Sequence, residues 1–143
     1  MNNFEINTNL AANIISGFIQ SEITRAGFSK AVIGVSGGVD SSLSCILAAR
    51  ALGGENVLAV RMPDKTSSQD SLDHAQLVIE KTGVQSMTIP ITDVADGLIN
   101  QFPDMSKIRQ GNIMARSRMI VLYDRSVAFN GLVVGTGNKT EIL

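Results

Sequence analysis

Four apolar runs of strand length alternate with segments whose apolar residues recur at helical spacing. The runs are "AVIGV" (31–35), "NVLAVRM" (56–62), the weaker "SMTIPI" (86–91) and "LVVG" (132–135). They read as continuous apolar stretches, the mark of strands covered on both faces. Helical patterns occupy 9–25, 41–52, 70–82, 93–101 and 107–129. Asn7 to Asn9, and then Ser68 or Asp70, offer N-caps, while Gly27, Gly83 and Gly131 mark C-terminal ends. The order α-β-α-β-α-β-α-α-β predicts an α/β fold, a Rossmann-like parallel sheet with helices on both faces. Right-handed crossovers put every strand's C-terminal end on one edge, where ligands bind in such folds. Loops 36–40, 61–69, 90–93 and 136–141 are expected to converge there.

Composition removes several classes of function. The 143 residues carry 12 Lys and Arg against 13 Asp and Glu, a net charge of −1. That balance gives no footprint for nucleic acid and no polybasic face for a membrane. No apolar run is long enough to cross a bilayer. The polar, acidic start "MNNFEINTNL" lacks the pattern of a signal peptide. A single cysteine, Cys45, precludes an internal disulfide framework. These features lead to the expectation of a soluble, cytoplasmic protein whose anion site is local.

The stretch "GVSGGVDSS" (34–42) follows the first strand and opens a helix. A loop in that position aims backbone N–H groups and a helix's positive end at the sheet edge. Gly37 and Gly38 allow unusual dihedrals and close approach, and Ser36, Ser41 and Ser42 add hydroxyls. The arrangement points to a polyphosphate; the alternative is a tight turn without a ligand. The lysine of a GxxxxGK[ST] loop is missing, as are a GxGxxG and a GxSxG elbow. The sole histidine, His74, lies in a helical pattern, which argues against a Ser-His-Asp triad. Cys45, among Leu43, Ile46 and Leu47, reads as a buried thiol.

"SGGVDSS" resembles the pyrophosphate loop of the ATP pyrophosphatases, which are adenine nucleotide α-hydrolase-like in fold. Two further stretches narrow the resemblance to the NAD synthetases: "GNIMARSRMIVLYDRSVAFNGLVVGTGNKTE" (111–141), and "AVRMP" (59–63) with "SSQDSLDHAQ" after it. The similarity runs from about residue 9 to the end and implies a single domain over 1–143. It implies that Gly34, Val35, Ser36, Gly37, Gly38, Val39, Asp40 and Ser41 bind ATP, together with Arg61 and Thr136. Asp40 and Glu141 would hold Mg²⁺ on the phosphates, in keeping with the carboxylate-plus-phosphate coordination usual for magnesium. Read from residues alone, Asp40 could equally be a helix N-cap, Glu141 a solvated acid, and Arg61 half of an ion pair. Arg116 matches the arginine that holds deamido-NAD. Arg118, two residues on, points to the opposite helix face and receives no substrate role. Lys139 reads as a solvated loop lysine.

The implied reaction is ATP-dependent amidation of deamido-NAD to NAD with ammonia, through an adenylylated intermediate, releasing AMP and pyrophosphate. It needs no enzyme nucleophile. Only 30 residues precede the first strand, too few for a glutaminase domain, so an ammonia-dependent form, or one fed by a separate partner, is expected. Five consecutive apolar residues, "MIVLY" (119–123), put more than one face of the long helix under cover. With the resemblance, that implies a homodimer binding deamido-NAD across its interface. The chain stops at "TGNKTEIL", where the family continues, so it reads as incomplete at its C-terminus. A non-catalytic ATP-binding or interaction fragment, or another ATP pyrophosphatase, remains the alternative.

Overall fold

The structure is a computed structural model, and it describes residues 5–137. Its centre is a four-stranded sheet of β1 (Ala31–Gly34), β2 (Val57–Arg61), β3 (Gln85–Thr88) and β4 (Leu132–Val134). All pairs are parallel and the order is β3-β2-β1-β4. The chain steps outward from β1 to β3, then returns across the sheet to place β4 on the free side of β1. The direction of winding therefore reverses between β1 and β4, where the two outgoing chain ends part and leave a crevice.

Side chains alternate between two cores, as the period of a strand requires. Ile33, Val57 and Ala59 face one side and meet Cys45, Ala48, Ala75 and Ile79. These come from α2 (Val39–Leu52) and α3 (Gln69–Thr82). Val32, Leu58 and Val60 face the other side and meet Ile91, Val121 and Leu122. There the cover is α5 (Lys107–Phe129), with α4 (Thr92–Ile99) packed beside it. The outer helix, α1 (Thr8–Arg25), rests on α2. Among the described residues, no helix is long and apolar enough to cross a membrane.

The boundaries depart from expectation in ways with local causes. Helix α2 starts at Val39 rather than 41, because Gly38 in extended geometry is its N-cap. Asp40 thus sits in the first helical turn and is not the cap. Strand β3 spans 85–88, not 86–91; beyond it the amides of Ile89 and Ile91 donate to the carbonyls of Arg61 and Pro63. The segment 90–93 therefore braces the end of β2. Helix α5 ends on Asn130, whose φ of 55° is left-handed, rather than on Gly131. Gly131 serves a different need: a Cβ there would lie 3.0 Å from the Lys30 carbonyl carbon. Its small size lets the end of α5 press on the start of β1. Asn7 and Ser68 cap α1 and α3 through side-chain oxygens. A 3-10 turn at Gly54–Asn56, absent from the sequence reading, leads into β2.

Of "MIVLY", only Val121 and Leu122 are buried. Met119, Ile120 and Tyr123 are exposed, so a single face of α5 meets the sheet.

Candidate functional site

The loop between β1 and α2 is closed by its own hydroxyls. Ser41, only 5% exposed, accepts from the Ser36 amide at 3.2 Å and donates to the Gly38 carbonyl at 3.1 Å. The Ser36 and Ser41 oxygens lie 3.1 Å apart, and the Gly38 amide donates to Ser36 Oγ at 3.3 Å. Gly37 has φ +85°, and a Cβ on it would stand 2.1 Å from the Ser71 carbonyl oxygen. Only glycine satisfies both conditions. The loop therefore lies directly on the first turn of α3, and two helix N-termini meet at one edge of the sheet. Among the described residues no side chain caps α2, so its first-turn amides and positive end suit an anionic ligand.

Beside this loop is a cavity of about 260 Å³, lined by Ser36, Arg61, Met62, Ser67, Ser71 and Arg118 among others. Arg61 closes β2 and donates to Gln76 Oε1 at 2.5 Å, while its Nε is buried without a protein partner among the described residues. A second cavity of about 250 Å³ lies in the crevice between β1 and β4, lined by Gly34, Ala115, Met119, Leu122, Gly135 and Thr136 among others. Met62 and Arg118 line both and form their common wall.

Arg118 spans the gap from α5 to the β2–α3 loop. Its Nε donates to the Met62 carbonyl at 3.1 Å, and a terminal nitrogen meets Asp64 Oδ2 at 2.7 Å. Asp64 Oδ1 in turn accepts from the Thr66 amide at 2.6 Å and the Thr66 hydroxyl at 2.5 Å. Burial alone would raise the Asp64 carboxyl, but the Thr66 hydrogen bonds and the Arg118 guanidinium outweigh it and hold it below its usual range. Burial pushes the Cys45 thiol up to about 11, with the Thr82 hydroxyl opposing, so it is an inert part of the core.

Residues 11–143 match the NAD synthase family. The chain belongs to that family. It is 52% identical, over its whole length, to the NH(3)-dependent NAD(+) synthetase of Trichlorobacter lovleyi, covering 52% of that protein. It is 49% identical to the corresponding synthetase of Fusobacterium nucleatum, covering 99% of this chain and 55% of the other. The chain spans about half the length of the curated relatives it matches. In structure it is similar to the NH3-dependent NAD synthetase of Campylobacter jejuni, solved with a nitrate ion. The TM-score is 0.90 at 34% identity, over 97% of this chain and 60% of that one.

Set in that family, the residues picked out by sequence fall into four groups. Gly34, Val35, Ser36, Arg61 and Thr136 line the two cavities; Gly37, Gly38, Val39, Asp40 and Ser41 form the adjoining loop and first turn. Arg116 stands apart, exposed on α5, with Nη1 on the Asn112 carbonyl at 3.2 Å. Glu141 and Lys139 lie outside the described residues. Arg118, given no role from its helical position, proves to be the arginine on the cavity side. Ser67, Ser71 and Gln76 lie within "SSQDSLDHAQ" and Asp64 outside the matched stretches; none is marked individually, because single polar residues in a loop or on a helix carry no spacing that singles them out.

Proposed function

We propose that this chain is the ATP-activating, N-terminal part of an ammonia-dependent NAD synthetase. The single observation that carries the reading is the hydroxyl-closed loop at the α2 N-terminus, set beside a cavity bearing two arginines. In this reading ATP arrives with Mg²⁺, and its departing pyrophosphate rests on the amides and hydroxyls of 34–41. Asp40 sits half-buried in the first turn. One carboxylate, with phosphate oxygens and water, suits the coordination of Mg²⁺; Glu141 is the second proposed ligand. Arg61 and Thr136 hold the nucleotide from the ends of β2 and β4.

The nicotinate carboxylate oxygen of deamido-NAD attacks the α-phosphorus, and the bond to the bridging oxygen of pyrophosphate breaks. Preorganised donors stabilise the charge that develops on the leaving group. Ammonia then adds to the acyl carbon of the adenylate, loses a proton, and AMP departs to leave NAD⁺. Arg116 is exposed on the face of α5 that also bears Ile120, Tyr123 and Val127. A homodimer covering that face would bring Arg116 to a deamido-NAD bound across the interface. The partners in this reading are small molecules and a second copy of the chain, without nucleic acid or membrane, and the setting is the cytoplasm.

The test is incubation of the chain with ATP, Mg²⁺, ammonium and deamido-NAD, followed by chromatography of AMP and NAD⁺. Both products are expected together, only when deamido-NAD is present, and their loss is expected in Asp40→Ala. ATP binding without AMP would sink turnover by these 143 residues and leave a nucleotide-binding fragment.

A further inference from the structure

The cleft has one wall that its own loop does not hold in place. The β2–α3 loop carries Ser67 into the larger cavity, yet Lys65, Thr66, Ser67 and Ser68 are all exposed. Within the loop the ties are local: the Asp64 amide donates to Ser67 Oγ at 3.0 Å, and Thr66 folds back onto Asp64. Besides the Ile91 amide on the Pro63 carbonyl at its start, two ion pairs among the described residues connect it to the rest of the molecule. Lys65 reaches Asp96 at 3.0 Å, with the lysine side chain 62% exposed, so solvent screens it and it adds little. Arg118 reaches Asp64, whose side chain is 8% exposed. Because Arg118 also donates to the Met62 carbonyl, its guanidinium grips the chain on both sides of Pro63. Such planar, two-point recognition is specific to arginine.

We propose that Arg118 and Asp64 form a latch that ties the β2–α3 loop to α5 and fixes the partition between the two cavities. Arg118 is thus a positioning residue. Asp64 is the hinge pin, with one oxygen organising the loop and the other engaging the helix. The latch itself stands apart from the proposed reaction; its consequence for ATP binding rests on that reading.

The experiment compares Arg118→Gln, Arg118→Lys, Asp64→Asn, the double variant Arg118→Gln/Asp64→Asn and the control Asp96→Asn. Without nucleotide, amide exchange of residues 64–68 and tryptic cleavage after Lys65 are followed by mass spectrometry. Exchange in β1 and β2 reports that each variant is folded. Arg118→Gln and Asp64→Asn should each speed loop opening roughly ten- to hundredfold, the range for a lost hydrogen bond to a charged group. The double variant should open no faster than either single change, since the two act as one unit. Arg118→Lys should recover part of the protection and Asp96→Asn should lose almost none. Unchanged loop exchange in Arg118→Gln would overturn the latch.

Binding of a non-hydrolysable ATP analogue is measured on the same proteins. Weakened binding in Asp64→Asn as well as Arg118→Gln supports the positioning role. An open loop with undiminished affinity in both overturns that role and keeps the latch. Failure of the unaltered chain to bind the analogue overturns the ATP reading, while loop exchange still decides the latch.

Discussion

The two loops that border the larger cavity are built in opposite ways. The β1–α2 loop is held by short-range means: small residues, a left-handed glycine and a buried serine five positions from its partner. The β2–α3 loop is held by an arginine 54 positions away in the chain. Steric contact with backbone leaves the first loop almost no freedom, whereas an ion pair between a half-exposed guanidinium and a buried carboxylate can open and close. A fixed wall suits the part of a site that stabilises charge, and an openable wall suits the part through which a substrate enters.

The largest way to break this contrast is Gly37→Ala. The left-handed backbone costs about 1–2 kcal/mol for a residue with a Cβ, and overpacking against Ser71 adds ~1–3 kcal/mol. A loss of about 2–5 kcal/mol in a denaturant titration is expected, with ATP binding abolished. A stable variant that still binds would show that the first wall yields after all. Ser41→Ala comes next. It deprives the Ser36 amide and the Gly38 carbonyl of their partner, and leaving such groups unmade costs roughly 1–3 kcal/mol. Acid gives the smallest effect and reaches the other wall through Asp64. The folded Asp64 carboxyl titrates below its unfolded value of about 3.9. Its contribution is therefore complete above that value and lost as pH falls through the lower, folded one. The protection factor at Thr66, with the intrinsic pH dependence of amide exchange divided out, should fall more than that beside Ser36 as pH drops below the unfolded value.

The same contrast explains what could be read from sequence. The sheet, its parallel sense and all five helices follow from apolar runs of strand length alternating with segments of helical spacing. The β1–α2 loop was legible because its chemistry is contiguous: Ser36, Gly37, Gly38, Asp40 and Ser41 stand together. Arg118 was legible only as a helix position. Which side of α5 meets the cleft depends on where Val121 and Leu122 pack, and "MIVLY" presents apolar residues all round. The α5 cap was misplaced by one residue because Asn130 can take the left-handed conformation as glycine does. The 90–93 segment follows β3 to the edge where the strands' C-terminal ends lie, as expected, and there the Ile91 amide pairs with the Pro63 carbonyl just past β2.

The pairing of Ala31 with Leu132 has a consequence for biogenesis. During synthesis, β2 and β3 can join β1 early, but its other edge must wait for some hundred residues to emerge. At ~5–20 residues per second that delay lasts roughly 5–20 s. Throughout it the nascent chain exposes the apolar edge formed by Ala31, Val32 and Ile33, the kind of unpaired strand that invites a wrong partner. Arrival of "GLVV" covers that edge of β1. The short β4 thus joins late in co-translational assembly and moves the open edge of the described sheet from the long-exposed β1 to itself.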